Sequence, residues 1–276
     1  MRFPLLIAVV LVAALAAPTT LVPQAFGHYV NLRGKLVEDG VLTLGVALTG
    51  RPFAYRQDGQ LRGFTIDIAA AVAHSRGLEF KAVQVPRGRL AAALADGEVD
   101  LVNSFAFDEA APEQVADVPY MVVGDHMMVL RGNPFRLRSL EDLAGHTVAA
   151  TAGSSAEAFA RDISRQLVAG GGAAMDIHSF PNQRDTHFPV SMGHAAAYFV
   201  QTASALVPAL DPDSRVRLFD GVFQARREVG FALRAGDADA DLRDAIQHGL
   251  AAKVANGTYD RLRAEHGIPD VLSLFR

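Results

Sequence analysis

The fold class is predicted by residues 41–85, which read VLTLGVALTGRPFAYRQDGQLRGFTIDIAAAVAHSRGLEFKAVQV. A short apolar run at 41–46 is followed by a Gly-Arg-Pro turn, as expected of a buried strand. Apolar side chains then recur at helical spacing over 65–75, and Gly77 ends the helix. A second apolar run at 80–85 completes a βαβ unit. This unit is typical of an α/β fold in which helices cover both faces of a parallel sheet.

The same alternation continues through the rest of the chain. A helix at 90–94 and a strand at 99–102 follow the first unit, and a second series begins with a strand at 146–150. We predict two α/β lobes with a cleft between them, joined by extended segments, one of which contains Met127-Met128. The later elements are expected to be a helix at 155–168, strands at 175–178, 195–200 and 229–233, and helices at 201–210, 240–255 and 259–266.

Composition and charge narrow the class of protein. The 276 residues are 50% hydrophobic, which is enough for a packed core, and the net charge of −4 lacks the basic footprint of a nucleic-acid-binding protein. The chain contains no cysteine, so disulfides, thiolate nucleophiles and Cys-ligated metals are excluded. Because nucleotide motifs and closely spaced histidine pairs are also missing, we expect no cofactor and no metal site.

The N-terminus has the layout of a secretory signal peptide. Met1-Arg2 is a positive start, residues 3–17 are apolar, and Ala14-Leu15-Ala16 fits the small-residue rule for cleavage. Cleavage after Ala25 is a second possibility. The apolar run is shorter than the ~20 residues that a membrane-spanning helix needs. We therefore predict a signal peptide at residues 1–25, a periplasmic location, and no membrane insertion of the mature chain.

A series of short motifs follows along the chain. They are Gly45-x7-Phe53 with Pro52, Asp58-Gly59 and Gly63-Phe64-x2-Asp67; Leu94-x2-Gly97-x2-Asp100 before Pro119-Tyr120; Val148 to Ser155; Gly230-Phe231-Ala232; and Asn256-Gly257-Thr258-Tyr259. In this order they resemble family-3 extracellular solute-binding proteins, the amino-acid-binding components of ABC importers. The resemblance covers residues 38–268. It implies a two-lobe periplasmic binding protein fold with two crossing strands, in which 38–125 and 229–276 form lobe 1 and 126–228 form lobe 2.

This chain departs from the resemblance at the amino-acid site. The family holds the ligand carboxylate with an Arg before the Pro-Tyr pair, but no Arg or Lys lies between Arg89 and Arg131, where the nearest equivalents are residues 109–111. The position of the family's ammonium-binding Asp corresponds to Gln201, and that of a stacking aromatic corresponds to Gly50. Because each charge-assisted hydrogen bond to a carboxylate contributes ~1.5–3 kcal/mol, these losses argue against a standard α-amino acid.

Several other residues are candidates for ligand contact. Arg51 and Arg87 lie in loops that resemble ligand-facing loops and can supply the missing positive charge, although a solvated surface position is the alternative for each. Asn103 and Ser104 end a predicted strand, where α/β proteins bind ligands. Ser154 begins a helix whose free N–H groups suit an anion, and it also fits an S-x-x-E capping box. The predicted ligand-binding residues are Arg51, Phe53, Arg87, Asn103, Ser104, Ser154, Ser155 and Gln201.

Three functions remain open from the sequence. The favoured one is a non-enzymatic solute-binding protein of an ABC-type importer, whose partners are a small-molecule ligand other than a standard amino acid and the importer permease. The second is an accessory factor of a periplasmic quinoprotein (methanol-type) dehydrogenase, with that enzyme as its partner. The third is a dehydratase-like enzyme on the same fold. Its chemistry needs a placed acid and a carboxylate clamp, which the sequence does not clearly contain.

Overall fold

The computed structural model of the protein describes residues 32, 34–107, 115–220 and 223–275. The predicted signal peptide and residues 109–111 lie outside these ranges. Within these ranges, no helix combines the length and the apolar character needed to cross a membrane.

Strands and helices alternate along the chain, as predicted. The strands are β1 (Val41–Val46), β2 (Tyr55–Gln57), β3 (Gln60–Arg62), β4 (Glu79–Gln84), β5 (Leu101–Asn103), β6 (Val115–Leu130), β7 (Thr147–Thr151), β8 (Asp176–Phe180), β9 (Ala197–Gln201), β10 (Val216–Leu218) and β11 (Gln224–Arg234). The helices are α1 (Phe64–Ser75), α2 (Leu90–Ala95), α3 (Ser155–Ala169), α4 (Gln183–Ser191), α5 (Thr202–Leu210), α6 (Ala240–Ala255) and α7 (Thr258–Glu265).

The main sheet has two halves whose parallel strands run in opposite directions. Its order is β4-β1-β5-β11-β6-β9-β7-β8, with β10 paired to β6, while β2 and β3 form a separate hairpin. The strands β1, β4 and β5 run in the same direction as β6, because β11 is antiparallel to both β5 and β6. The strands β7, β8 and β9 run the opposite way, because β9 is antiparallel to β6.

The strand β6 passes from one half of the sheet into the other. Its first residues pair with the end of β11 in lobe 1, and its residues from Asp125 to Val129 pair with β9 in lobe 2. Between these parts, residues 121–123 pair with residues 227–229 of β11. The crossing therefore lies earlier than the Met127-Met128 segment expected from the sequence, because Met128 already pairs with Tyr198 of β9.

Lobe 1 is built from both ends of the chain. The helices α6 and α7 follow β11 and pack against α1. The Tyr259 hydroxyl of α7 donates a hydrogen bond to the Tyr120 carbonyl oxygen of β6 at 2.7 Å, and the rings of Phe64 and Tyr259 are 5.7 Å apart. This arrangement agrees with a discontinuous lobe, while the residue boundaries given above stay predictions.

Lobe 2 carries helices on both faces of its half of the sheet. Phe159 of α3 packs on Phe199 at 5.0 Å on one face, and α4 and α5 cover the other. The sequence pattern does not predict α4, because Pro189 lies within it. The helix forms nevertheless, since the Asn182 side chain caps its start and Val190 is buried in the core.

The crossing contains a close backbone approach that requires glycine. The register of β6 and β11 shifts between Val229 and Gly230, which pair with Met121 and Pro119. A Cβ atom on Gly230 would overlap the Val118 carbonyl oxygen and lie 2.7 Å from the Cα atom of Pro119.

We expect Gly230→Ala to lower the free energy of unfolding by about 1–3 kcal/mol, since backbone must shift to admit the methyl group. The matched control is Gly88→Ala, because nothing lies within 4 Å of a Cβ atom at that position. Urea unfolding compares the two variants with the wild type. Equal midpoints for all three proteins would show that the approach at Gly230 does not constrain the fold.

Candidate ligand-binding site

The carboxyl ends of the parallel strands in the two lobes face each other. Because β6 runs from lobe 1 into lobe 2, the strands parallel to it end toward lobe 2, and β7, β8 and β9 end toward lobe 1. Open α/β sheets bind ligands beyond the carboxyl ends of their strands. We call residues 47–54, 85–89 and 103–107 the lobe-1 edge, and residues 152–155, 181–182 and 201–202 the lobe-2 edge.

Three of the predicted ligand residues are buried at the lobe-1 edge. The ring of Phe53 is fully buried and lies 4.5 Å from the ring of Phe105. The Asn103 amide donates to the Ala47 carbonyl oxygen at 3.1 Å and accepts from the Ala47 N–H at 3.0 Å. Ser104 Oγ accepts from the N–H of Gly230 in β11 at 2.8 Å. These side chains join neighbouring segments of backbone, and their contact with a ligand stays a prediction.

The two predicted arginines of lobe 1 are exposed. The Arg51 guanidinium lies 4.1 Å from the centre of the Tyr55 ring and donates to Gln57 Oε1 at 2.9 Å, so it rests on the β2–β3 hairpin. Arg87 lies in a short 3₁₀ turn after β4. Both residues are on the lobe-1 edge, as predicted, and their role in ligand binding stays a prediction.

Ser154 caps the start of α3, as its sequence predicts, but the Glu157 side chain bonds to the Gly153 N–H and not to the Ser154 N–H that a complete capping box uses. Ser154 Oγ accepts a hydrogen bond from the Glu157 N–H at 3.1 Å. The Glu157 carboxylate accepts hydrogen bonds from the Ser179 hydroxyl at 2.6 Å, from the Arg161 guanidinium at 2.7 Å and from the Gly153 N–H at 2.7 Å. These donors lower the pKa of Glu157 to about 2. The helix N-terminus therefore already holds a negative charge, which disfavours a ligand anion there.

Ser155 and Gln201 are the exposed predicted residues of the lobe-2 edge. Gln201 ends β9 and pairs directly with Asp125 of β6. Directly paired residues of antiparallel strands project their side chains from the same face of the sheet. Phe199 packs against Phe159 of α3, and Gln201 lies on the same face because residues two apart in a strand point the same way. Gln201 and Asp125 are therefore neighbours on the face that α3 covers.

The Asp125 carboxyl group is buried without a hydrogen-bond partner. Asp125 is 1% exposed, and neither of its carboxyl oxygens has a partner among the described residues. Burial raises the pKa of this carboxyl group. Asp100 is equally buried, but its oxygens accept hydrogen bonds from the N–H groups of Val37 at 2.8 Å and Thr43 at 2.7 Å. Because buried carboxylates normally have such donors, Asp125 requires an explanation.

The backbone on either side of Asp125 is fixed from the opposite face of the sheet. His126 Nε2 lies 2.8 Å from Thr202 Oγ1 and is fully buried. The same hydroxyl donates to the Gly124 carbonyl oxygen at 3.0 Å and accepts from the Gly124 N–H at 2.9 Å. These bonds connect β6 to the start of α5, so the backbone that carries Asp125 is held in place.

Comparison with known proteins identifies the family. The profile of bacterial extracellular solute-binding proteins, family 3, matches residues 42–268. This chain belongs to that family. Among its relatives, the L-cystine-binding protein TcyJ of Escherichia coli (strain K12) is 26% identical over 235 residues, which cover 84% of each chain.

Solved structures of family-3 type share the two-lobe fold. The ancestral cationic amino acid solute-binding protein AncCDT-1 is 25% identical, with a TM-score of 0.61, over 85% of this chain and 99% of that one. The L-cystine solute receptor of Neisseria gonorrhoeae in its unliganded open conformation has a TM-score of 0.67 at 19% identity, over 87% and 98% of the two chains. The fold predicted from the sequence, two α/β lobes joined by two crossing strands, is confirmed.

Asp125, beside the lobe-2 edge, is not among the residues that the sequence predicts to be functional. It interrupts the apolar run VPYMVVGDHMMVL at residues 118–130, in which the sequence predicts a crossing segment at Met127-Met128. A charged residue inside such a run is the signal that could have identified it, because carboxylates are rarely buried without a partner. The described residues contain no group of three His, Cys, Asp or Glu side chains placed to hold a metal ion.

We expect Asp125→Asn to raise the free energy of unfolding at pH 8 by about 1–3 kcal/mol, since it removes an unpaired buried charge. The pKa of Asp125 is higher in the folded than in the unfolded chain, so wild-type stability falls as the pH rises through the folded value. At pH 4 a larger fraction of this carboxyl group is protonated in the folded protein than at pH 8, so the difference should shrink. Urea unfolding of both proteins at the two pH values measures this.

All other titratable groups are shared by the two proteins, so the difference reports on Asp125. A variant that is less stable than the wild type at pH 8 would show that the carboxylate has a stabilising partner in the native state.

Proposed function

We propose that this protein is the periplasmic binding component of an ABC importer and that its ligand is not a standard α-amino acid. One observation carries the importer role: the carboxyl ends of the parallel strands in two lobes face each other across two crossing strands. A ligand that contacts both edges favours a closed arrangement, because closure adds contacts that the open form does not make.

The residues at the two edges support the restriction on the ligand. Gln201 ends β9, at the position that the resemblance assigns to the family's ammonium-binding Asp, and no Arg or Lys lies between Arg89 and Arg131. A neutral amide cannot replace the charge of a carboxylate. An α-amino acid would therefore lose the ion pairs that the family supplies to both of its charged groups.

The names of the relatives refer to amino acids, namely L-cystine for TcyJ and cationic amino acids for AncCDT-1. These ligands do not fit this chain, because it differs at the positions that the resemblance assigns to the α-carboxylate and α-ammonium groups. We propose binding without catalysis, although one related structure is an ancestral cyclohexadienyl dehydratase. The accessory role for a quinoprotein dehydrogenase finds no support in the comparisons.

The importer role predicts compaction when the ligand binds. We expect the radius of gyration from X-ray scattering to fall when the protein is mixed with the small-molecule fraction of a cell extract, since a ligand draws the two edges together. The control is the same fraction after passage over immobilised protein, which should no longer cause the change. Unchanged dimensions with every fraction would contradict a transport role.

The restriction on the ligand predicts weak binding of amino acids. We expect isothermal titration calorimetry to detect no submicromolar affinity for any standard α-amino acid, because the ion pairs to both charged groups are missing. The same titration should be repeated with protein that has been unfolded, dialysed and refolded, because this treatment removes any ligand retained during purification. Submicromolar binding of one amino acid would contradict the proposal that the ligand is not a standard α-amino acid, but it would not contradict the importer role.

A further inference from the structure

We infer that Asp125 binds the positively charged group of the ligand, and that this group is an amine or a guanidinium with N–H donors. The inference rests on the proposed solute-binding function and specifies the class of ligand. At the lobe-2 edge, the residue that binds the ligand's positive charge is then on β6, the strand next to the one that ends at Gln201.

The position of Asp125 supports this role. Asp125 is the first residue of β6 that pairs with β9, so it lies where the crossing enters lobe 2. Asp125 pairs with Gln224 of β11 on one side and with Gln201 of β9 on the other. Gln201 is exposed at the lobe-2 edge and has a long, flexible side chain. A ligand reaches the Asp125 carboxylate by displacing that side chain, while the bonds of Thr202 to Gly124 keep the backbone in place.

The chemistry of the carboxylate determines what binds to it. An ionised carboxylate is an acceptor with two oxygens, and neither oxygen of Asp125 receives a hydrogen bond from the described residues. A buried charge of this kind is costly unless a partner supplies both opposite charge and donors. Primary amines and guanidinium groups supply both. A quaternary ammonium group supplies charge without N–H donors.

The charges at the lobe-2 edge favour a cation over an anion. The Glu157 carboxylate lies at the start of α3, and the Arg161 guanidinium near it is bound to that carboxylate at 2.7 Å. An anionic ligand at Asp125 would approach a carboxylate that has no ion pair or hydrogen bond with any described residue. A cationic group at that position would pair with the Asp125 carboxylate, while the Glu157 charge is already compensated by Arg161.

The experiment measures the affinity of purified protein for putrescine, agmatine, choline and succinate by calorimetry. We expect putrescine or agmatine to bind, and choline and succinate not to bind. Asp125→Asn should weaken binding of the amine by about 30-fold or more, because it removes one member of a buried charge pair. The matched control, Asp213→Asn, removes the same charge from an exposed site in lobe 2 and should bind within about twofold of the wild type.

Circular dichroism and the unfolding midpoint establish that Asp125→Asn is folded, and Asp125→Ser serves as a second variant if it is not. The inference is overturned if neither putrescine nor agmatine binds at millimolar concentration, if choline binds as tightly as they do, or if the Asp125 variants bind as the wild type does. Compaction by the extract fraction without binding of either amine would remove this inference and preserve the importer role. If no fraction of the extract causes compaction, the importer role itself is contradicted.

Discussion

The antiparallel pairing of β6 with β11 is the interaction on which the rest of the structure depends. The 16 residues of β6 pair with β11 in lobe 1 and with β9 in lobe 2, so one strand sets the direction of every strand in both halves. This direction places the carboxyl ends of the two sets of parallel strands opposite each other. The pairing is close enough at Gly230 to exclude a side chain. Cleft geometry therefore follows from backbone hydrogen bonding rather than from particular ligand residues.

Most of the polar residues at the cleft edges bind to the protein itself. The side chains of Asn103 and Ser104 bond to backbone groups of neighbouring segments, and Ser154 caps α3. Such bonds hold the loops in one conformation, which lowers the entropic cost of binding a ligand. In this protein the residue types that suggest ligand contact are therefore also the ones that position the edges.

Asp125 and Asp100 show the two ways in which a buried carboxyl group can be used. Asp100 receives two backbone N–H donors and connects the segment before β1 to the sheet. Asp125 receives none from the described residues, although it is equally buried. A buried carboxylate without donors lowers the free energy of unfolding of the unliganded protein. Natural proteins keep such destabilising groups mainly at functional sites. The same residue type thus supports the fold at one position and recognition at the other.

The amino-acid sequence by itself determined the α/β class, the two lobes, the family and the capping of α3, because these depend on local periodicity, turn residues and short motifs. It did not predict α4, whose internal Pro189 is tolerated because the burial of Val190 outweighs local propensity. The sequence predicts the crossing too late in the chain, since an apolar run does not show where one pairing partner replaces another. Tertiary structure alone decided that Asp125 lies beside Gln201 and lacks a donor among the residues that the structure describes, because residues 76 positions apart are brought together only by the pairing of β6 with β9.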